Sequence, residues 1–406
     1  MINFRMLKAT DPIIWYCLIF LLITSFSAIF SVNYAWGTAQ AFQLLGKQFG
    51  ALIIGVIGMA IFAYFDYRHL KLLAIPLYLI MMVLLVYVLF RGSVVSGASR
   101  WIHLGFFSFQ PSEITKLVVI LALAAYFDQT KEKAKILPAL IIACIPFLLI
   151  FKQPDLGTAL VIVAISLGML VWNKTSPVLL VTIATPIFSL IIRPNLYLWL
   201  VYILVLWGIL YFSRLDFVDL LLVMAINIGV GIAFPLIWGM LREYQRMRIV
   251  AFINPGIDPH GLGYHTMQSL VAVGSGGIFG RGFLHGSQTQ LHFIPEQHSD
   301  FIFSSIAEEF GMIGAGLVIF ALITLIRRAY IIADESADYF GGILVCGAAT
   351  MLGFHAFLSI GMVLGVMPVV GIPLPFVSFG GTALIVDMIL IGIIQNVAMR
   401  RQKLIF

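Results

Sequence analysis

Apolar runs recur along this chain between short polar breaks, and their length predicts helices rather than strands. Twelve runs lie near residues 12–32, 46–66, 72–91, 111–128, 136–152, 156–173, 177–193, 196–212, 217–238, 300–326, 340–366 and 380–399. A run of about 20 residues suffices to cross a hydrocarbon core of roughly 30 Å. The four runs between 136 and 212 are the shortest. Three stretches break the rhythm: residues 92–113, which mix Gly and Ser with large aromatics, residues 153–160, and residues 242–299. The third is far longer than an ordinary connector. It is rich in Gly, His, Phe and Ile, which predicts an ordered, packed loop. It closes at QLHFIPEQHSDFIF, residues 290–303, where Asp300 stands at the entry of the next apolar run.

Composition turns this pattern into a membrane protein. Hydrophobic residues make up 61% of the 406, charged residues 10%, and the mean hydropathy is +1.06; a soluble domain carries about 25% charged residues. The expected fold class is an all-α polytopic integral membrane protein of about twelve transmembrane helices. It forms a single membrane domain over residues 1–406, with one long extracytoplasmic loop at 242–299. Twelve spans put both termini on one side. Fourteen of the 24 basic residues, from Arg5 and Lys8 to Arg400, Arg401 and Lys403, fall on that side, as the positive-inside rule requires of a cytoplasmic face. The net charge of +6 therefore reports topology and gives no reason to expect nucleic acid. Cys17, Cys144 and Cys346 lie within apolar runs and offer no disulfide framework or metal spacing. The first run is too long for a secretory signal and reads as an uncleaved helix.

Ionisable residues at membrane depth are costly and face a partner or a cavity. Glu113 and Lys116 are three apart on one helical face. They read either as a self-neutralising pair or as a cavity wall that contacts an anionic ligand. Asp155, just before the sixth run, suits a helix cap and equally a place in the same cavity. Arg242, Arg246 and Arg248 flank Tyr244 and Gln245, either as snorkelling anchors or as guanidinium forks for a phosphate or pyrophosphate. His260, His265, His285, His292 and His298 share the long loop but lack the spacing of a zinc site. The GSGGIFGRG stretch at 274–282 has no βαβ surroundings for a dinucleotide; tight turning and close backbone approach explain it better. Asp300, beside His298 and four residues after Glu296, reads as a helix cap, a general base or a ligand for a divalent cation. Glu308 and Glu309 read as structural, and Asp387 receives no role.

Four stretches carry a resemblance to a known family. They are GASRWIHLGFFSFQPSEITK at 97–116, KQPDLGTAL at 152–160, NPGIDPHGLGYHTMQSLVAVGSGGIFGRG with HFIPEQHSDFIFSSIAEE within 254–309, and MPVVGIPLPFVSFGGTAL at 367–384. The chain resembles the SEDS proteins (shape, elongation, division and sporulation). Its VVGIPLPFVSFGG segment is closer to the RodA branch than to the division branch, FtsW. The resemblance implies a peptidoglycan glycosyltransferase that polymerises lipid II during cell-wall elongation, by inverting transfer with undecaprenyl pyrophosphate as leaving group. It implies a site facing the outside of the bacterial inner membrane, with both termini cytoplasmic. Asp300 falls on the family's catalytic acidic residue, and Glu113, Lys116 and Asp155 fall on its polar site residues. Arg100, Arg242, Arg246, His298 and Glu296 are further candidate substrate contacts. A divalent cation, Mg or Mn, is the one cofactor to test, with Asp300 as its candidate ligand; no organic cofactor is expected. The implied partners are a class B penicillin-binding protein, which is a transpeptidase, and other proteins of the elongation machinery. The family has ten spans, so residues 177–212, which lack its motifs, are expected to be an extra helix pair.

Two other classes compete. A transporter that flips lipid-linked precursors would use intramembrane Glu113 and Lys116, yet the sequence shows no inverted repeat of the kind transporters carry. A scaffold of the elongation machinery would need no chemistry of its own.

Overall fold

Each of the twelve apolar runs forms a helix, because in an apolar medium a backbone amide finds its partner within its own segment. The computed structural model describes residues 9–34, 37–95, 98–104, 107–130, 136–175, 177–213, 217–241, 243–253, 262–291, 293 and 297–401. In chain order the first elements are α1 (Pro12–Tyr34), α2 (Thr38–Tyr64), α3 (Tyr67–Arg91), β1 (Ser93–Val95), β2 (Ala98–Leu104) and β3 (Phe107–Phe109). There follow α4 (Pro111–Thr130), α5 (Ile136–Lys152), α6 (Leu156–Trp172), α7 (Pro177–Ile192), α8 (Leu196–Phe212) and α9 (Phe217–Met240). The chain continues through α10 (Glu243–Ile253), α11 (Leu262–Gly276), α12 (Ser287–Gln290), α13 (Ile302–Asp334), α14 (Tyr339–Val363) and α15 (Gly381–Arg400).

Among the described residues, seven helices are long and apolar enough to cross a membrane, and α5 to α8 are shorter apolar helices. The α4 helix has 20 residues but carries Glu113, Lys116 and Asp128. The chain is thus an all-α, multi-pass membrane protein, apart from one small antiparallel sheet ordered β1-β2-β3. Two stretches hold more structure than the apolar pattern predicts. Residues 92–113 contain that sheet, in register Ser93↔Trp101 and Ile102↔Phe109. The stretch read as one long loop contains α10 and α11, of 11 and 15 residues.

The chain forms two compact units, Met1–Met169 with Arg248–Phe406, and Leu170–Met247. In the second, α7, α8 and α9 are joined by buried polar contacts. Asn227 Nδ2 donates to Thr185 Oγ1 at 2.9 Å, and Trp199 Nε1 donates to Ser189 Oγ at 2.8 Å. Arg193 Nε donates to the Gly231 carbonyl at 2.9 Å and its guanidinium lies over the Trp199 ring. Such contacts specify helix pairing where lipid leaves apolar faces without preference. Residues 177–212 form α7 and α8, which pack with α9.

In the first unit, charged residues knit the helix ends at the basic side. Arg328 of α13 pairs with Asp11, whose amide and carbonyl both bond Gln395 of α15. Lys71 of α3 pairs with Asp128 of α4, and Arg400 of α15 with Asp66. Asp338 caps α14 and takes bonds from the Tyr67 hydroxyl at 2.6 Å and Arg68 Nε at 3.0 Å. Burial alone would raise its pKa; the bonds from Tyr67, the Gly341 amide and Arg68 outweigh it and hold the carboxyl below its ordinary value.

At the opposite end α13 is broken. Gly311 has φ 66 and ψ −167 inside the helix, so Ile302–Phe310 is a half-helix with its own axis. A break frees carbonyls on one side and amides on the other. The glycine-rich stretch after α11 satisfies both. The Arg281 and Gly282 amides donate to the Glu308 and Glu309 carbonyls, each at 3.0 Å. The Met312 and Ile313 amides donate to the Gly277 and Ile278 carbonyls at 2.9 and 3.2 Å. A Cβ on Gly280 would stand 2.1 Å from the Glu309 oxygen, and one on Gly311 2.3 Å from the Gly280 nitrogen. Close backbone approach is therefore what this glycine stretch provides.

Candidate functional site

The segment between α14 and α15, residues 367–380, belongs to one motif stretch and meets two others, 152–160 and 254–309, at the end opposite the basic side. Its proline and glycine residues keep it out of helix, so its backbone groups seek partners elsewhere. The Phe379 amide donates to the His298 carbonyl at 2.9 Å. Ser378 Oγ donates to the Ser299 carbonyl at 2.6 Å and accepts from the Leu374 amide at 2.8 Å. Gln48 of α2 bonds Ser378 O and the Gly380 amide. The His298 ring meets Phe379 edge to face at 5.4 Å. Asp300 is thereby flanked on its N-terminal side by a fixed strand of chain.

Gly371 faces Asp300. It has φ +72, and a Cβ built on it would lie 3.1 Å from Asp300 Oδ2. Both the backbone angle and the space call for glycine here. The N-cap position of α13 is held by Phe301, one residue after Asp300. Gly371→Ala combines backbone strain with crowding of the carboxylate. It should lower turnover of purified protein by about tenfold to a hundredfold, as a displacement near 1 Å does. Unchanged turnover with a normal melting temperature would count against Asp300 as the working group.

Asp155 links the first two motifs. Its Oδ1 accepts from the Thr158 amide at 3.2 Å and so caps α6. Its Oδ2 accepts from Gln110 Nε2 at 3.2 Å and Ser112 Oγ at 3.5 Å, at the start of α4. Gly157, two residues on, packs against Val370 and Ile372 of the 367–380 segment.

Glu113 and Lys116 are both buried, 6% and 1% exposed. Lys116 Nζ donates to both Glu113 oxygens at 2.9 Å and meets His355 Nε2 at 3.0 Å. An ammonium has three N–H groups, and these three contacts occupy them. A protonated Lys116 requires His355 to accept with Nε2. Asp387 of α15 stands within electrostatic reach of Lys116 and Glu113 and accepts from the Phe376 amide. Phe376 itself has φ 62, a strained angle for a bulky residue, and strain of this kind gathers at functional sites. The buried cluster thus connects to the 367–380 segment through Asp387.

Of the other sequence candidates, Arg246 belongs to the second unit, where Nη2 donates to the Gly239 carbonyl at 2.8 Å. The Arg100 side chain, Arg242 and Glu296 lie outside the described residues, as do His260 and His292. Arg248 is the guanidinium brought to the segment that faces Asp300: its Nη1 donates to the Val370 carbonyl at 3.1 Å. With Phe252, Thr266 and Pro368 it lines a small cavity. Sequence reasoning weighed Arg248 with Arg242 and Arg246 but did not carry it into the substrate contacts, and it passed over His355 and Gly371. The signal for His355 was a lone histidine in an apolar run, and for Gly371 a glycine between branched residues in a segment too proline-rich for helix. For a divalent cation, no three His, Cys, Asp or Glu residues converge among the described residues. Among the described residues, Asp300 has no preassembled cage of oxygen ligands around it.

Comparisons with known proteins show the family to which the chain belongs. The profile of the FtsW–RodA–SpoVE family, described as cell cycle proteins, matches residues 10–183 and 172–403. The peptidoglycan glycosyltransferase MrdB of Escherichia coli K12 is 35% identical over 398 residues, covering 97% of this chain and 95% of that one. The probable peptidoglycan glycosyltransferase FtsW of Geobacter metallireducens is 31% identical over 409 residues, covering 98% and 97%. A chain from a structure reporting coordination of polymerization and crosslinking by a peptidoglycan synthase complex superposes with TM-score 0.72 at 26% identity, over 97% of this chain and 99% of that one. The rod shape determining protein RodA of Thermus thermophilus shares the fold, with TM-score 0.62 at 24% identity over 97% and 98%. With the family profile matched from residue 10 to residue 403 and a relative 35% identical over 97% of its length, the chain belongs to the FtsW–RodA–SpoVE family, the SEDS proteins.

Proposed function

We propose that this protein is a peptidoglycan glycosyltransferase of cell-wall elongation, that it polymerises lipid II, and that Asp300 is its general base. The observation that carries the reading is the Asp300 carboxylate, held at the head of a broken half-helix and faced by Gly371. The acceptor sugar's 4-hydroxyl attacks the anomeric carbon of the donor. The new C–O bond forms as the bond to undecaprenyl pyrophosphate breaks, and the electron pair leaves with the pyrophosphate. Asp300 takes the hydroxyl proton. One displacement at an α-linked donor gives a β-linked product. Arg248, bonded to the segment that faces Asp300, is proposed to stabilise charge on the leaving group, with Arg100, Lys116, Arg242 and Arg246 as the other candidates. A magnesium or manganese ion fits as a substrate-borne ion, held by pyrophosphate together with a single carboxylate.

The site faces the outside of the bacterial inner membrane in this reading, and the ion-paired basic end faces the cytoplasm. A class B penicillin-binding protein is the proposed partner, supported by the peptidoglycan synthase complex among the solved relatives. A transporter would also use a discontinuous helix. Here, though, the groups freed at Gly311 are paired with the backbone of residues 277–282 rather than left to bind cargo. Purified protein with labelled lipid II, with and without the partner and with chelator, separates the classes. Glycan chains support the enzyme. Transbilayer movement without polymer would establish a flippase, and neither product would establish a scaffold.

A further inference from the structure

Resting on the reading of Asp300 above, we infer that Glu308 is a positioning residue: it locks the half-helix that carries Asp300 at its head onto the chain between α11 and α13. Glu308 is fully buried, at 0% exposure. Both of its oxygens are occupied. Oε1 accepts from the Gln288 amide at 2.8 Å and from Ser287 Oγ at 3.3 Å, with Ser275 Oγ at 3.5 Å. Oε2 accepts from the Thr289 amide at 2.9 Å and from Thr289 Oγ1 at 2.7 Å. The Glu308 carbonyl also receives the Arg281 amide. Gly286 completes the seat, since a Cβ there would come 2.7 Å from Oε2.

The lock matters because of the break at Gly311. In an unbroken helix the long membrane-crossing part of α13 would fix the direction of its first turns. With Gly311 non-helical, the half-helix Ile302–Phe310 takes its direction from its neighbours. Glu309 bonds Ser31 of α1 on one side. Glu308 bonds residues 287–289 on the other, and the 367–380 segment holds the chain just before Asp300. Asp300 lies eight residues before Glu308, about two helical turns, so a tilt at Glu308 moves the carboxylate. A misplacement near 1 Å costs about a hundredfold in rate.

Glu308→Gln tests this without changing side-chain volume. An amide has one acceptor oxygen, so its NH₂ must face either the Gln288 amide or the Thr289 amide, both donors. The full-length variant, assayed with its partner transpeptidase on lipid II, should show kcat about tenfold to a hundredfold lower. KM should stay within about twofold, because the substrate contacts are untouched. Thr289→Val removes one bond from the far side of the same contact and keeps the fold. It should lower kcat in the same sense by a smaller factor, and the double variant should lose less than the product of the two. Loss confined to the yield of folded protein, with normal turnover of what folds, would overturn the inference, as would a rise in KM at constant kcat. If Glu308→Gln does not fold, an unchanged kcat in Thr289→Val has the same meaning. Asp300→Asn measured alongside keeps the two ideas apart. A parent-like rate there sinks the assignment of Asp300, whereas a slow Asp300→Asn beside a fast Glu308→Gln sinks this inference alone.

Discussion

Asp300→Asn should reduce glycan polymerisation by about 10²–10⁴-fold, the usual consequence of removing a general base, while the protein inserts, folds and melts as the parent does. The substitution is chosen because asparagine caps helices about as well as aspartate and has nearly the same shape. A capping contribution of this residue to the start of α13 therefore survives, while the negative charge and the ability to take a proton are lost. The Phe301 cap position and the bonds from Ser378 and Phe379 do not involve the Asp300 side chain, so the surrounding geometry persists. The measurement is the initial rate of polymer formation by purified protein, normalised to folded protein by thermal melting. A rate within about threefold of the parent would remove Asp300 from the mechanism, given the size of the effect expected. A rate lost together with the melting transition would make the residue structural.

The fold was legible where one physical rule dominates. Apolar length alone places all twelve helices, because in lipid the backbone has no alternative to helix. Their ends are less well read. The α2 helix begins at Thr38 rather than near residue 46, since its first three turns carry Gln40, Gln43 and Lys47 and break the apolar run. The sheet at 93–109 was missed although Ser96-Gly97 and Gly105-Phe106 have the composition of two-residue hairpin turns. Three-residue strands carry too little periodicity to be seen. The break at Gly311 left no trace, because a glycine within an apolar run ordinarily continues the helix at modest cost. Asp300 was legible as a charge at a boundary. Its wall was not: Gly371 meets Asp300, and Arg248 meets Val370 beside Gly371, each across more than 70 residues of sequence, and only packing shows which residues become neighbours. The linkage of the Glu113–Lys116 pair to His355 and Asp387 was hidden for the same reason.

Lys116→Met should be the most destabilising of the substitutions considered. Breaking a buried ion pair from one side costs about 3–5 kcal/mol, because the remaining charge is left buried without compensation. Here the removal strands more than one group. Glu113 loses the donor that bonds both of its oxygens at 2.9 Å, His355 loses its partner at 3.0 Å, and Asp387 loses the positive charge in its surroundings. The companion variant Glu113→Gln/Lys116→Met removes both charges together. Replacing a buried pair by neutral groups of similar volume is often close to neutral, so the double variant should recover most of the loss and show strong coupling in a double-mutant cycle. Unfolding in detergent or bicelles, followed by melting or by denaturant titration, reads this directly. A double variant as unstable as Lys116→Met would shift the burden to Asp387 and His355. The same pair of proteins also separates the two sequence readings of Glu113 and Lys116. A stable double variant that still polymerises assigns the pair to folding alone, whereas a stable one that does not assigns the ammonium a contact with the substrate's anion, made after Lys116 exchanges one of its three internal partners.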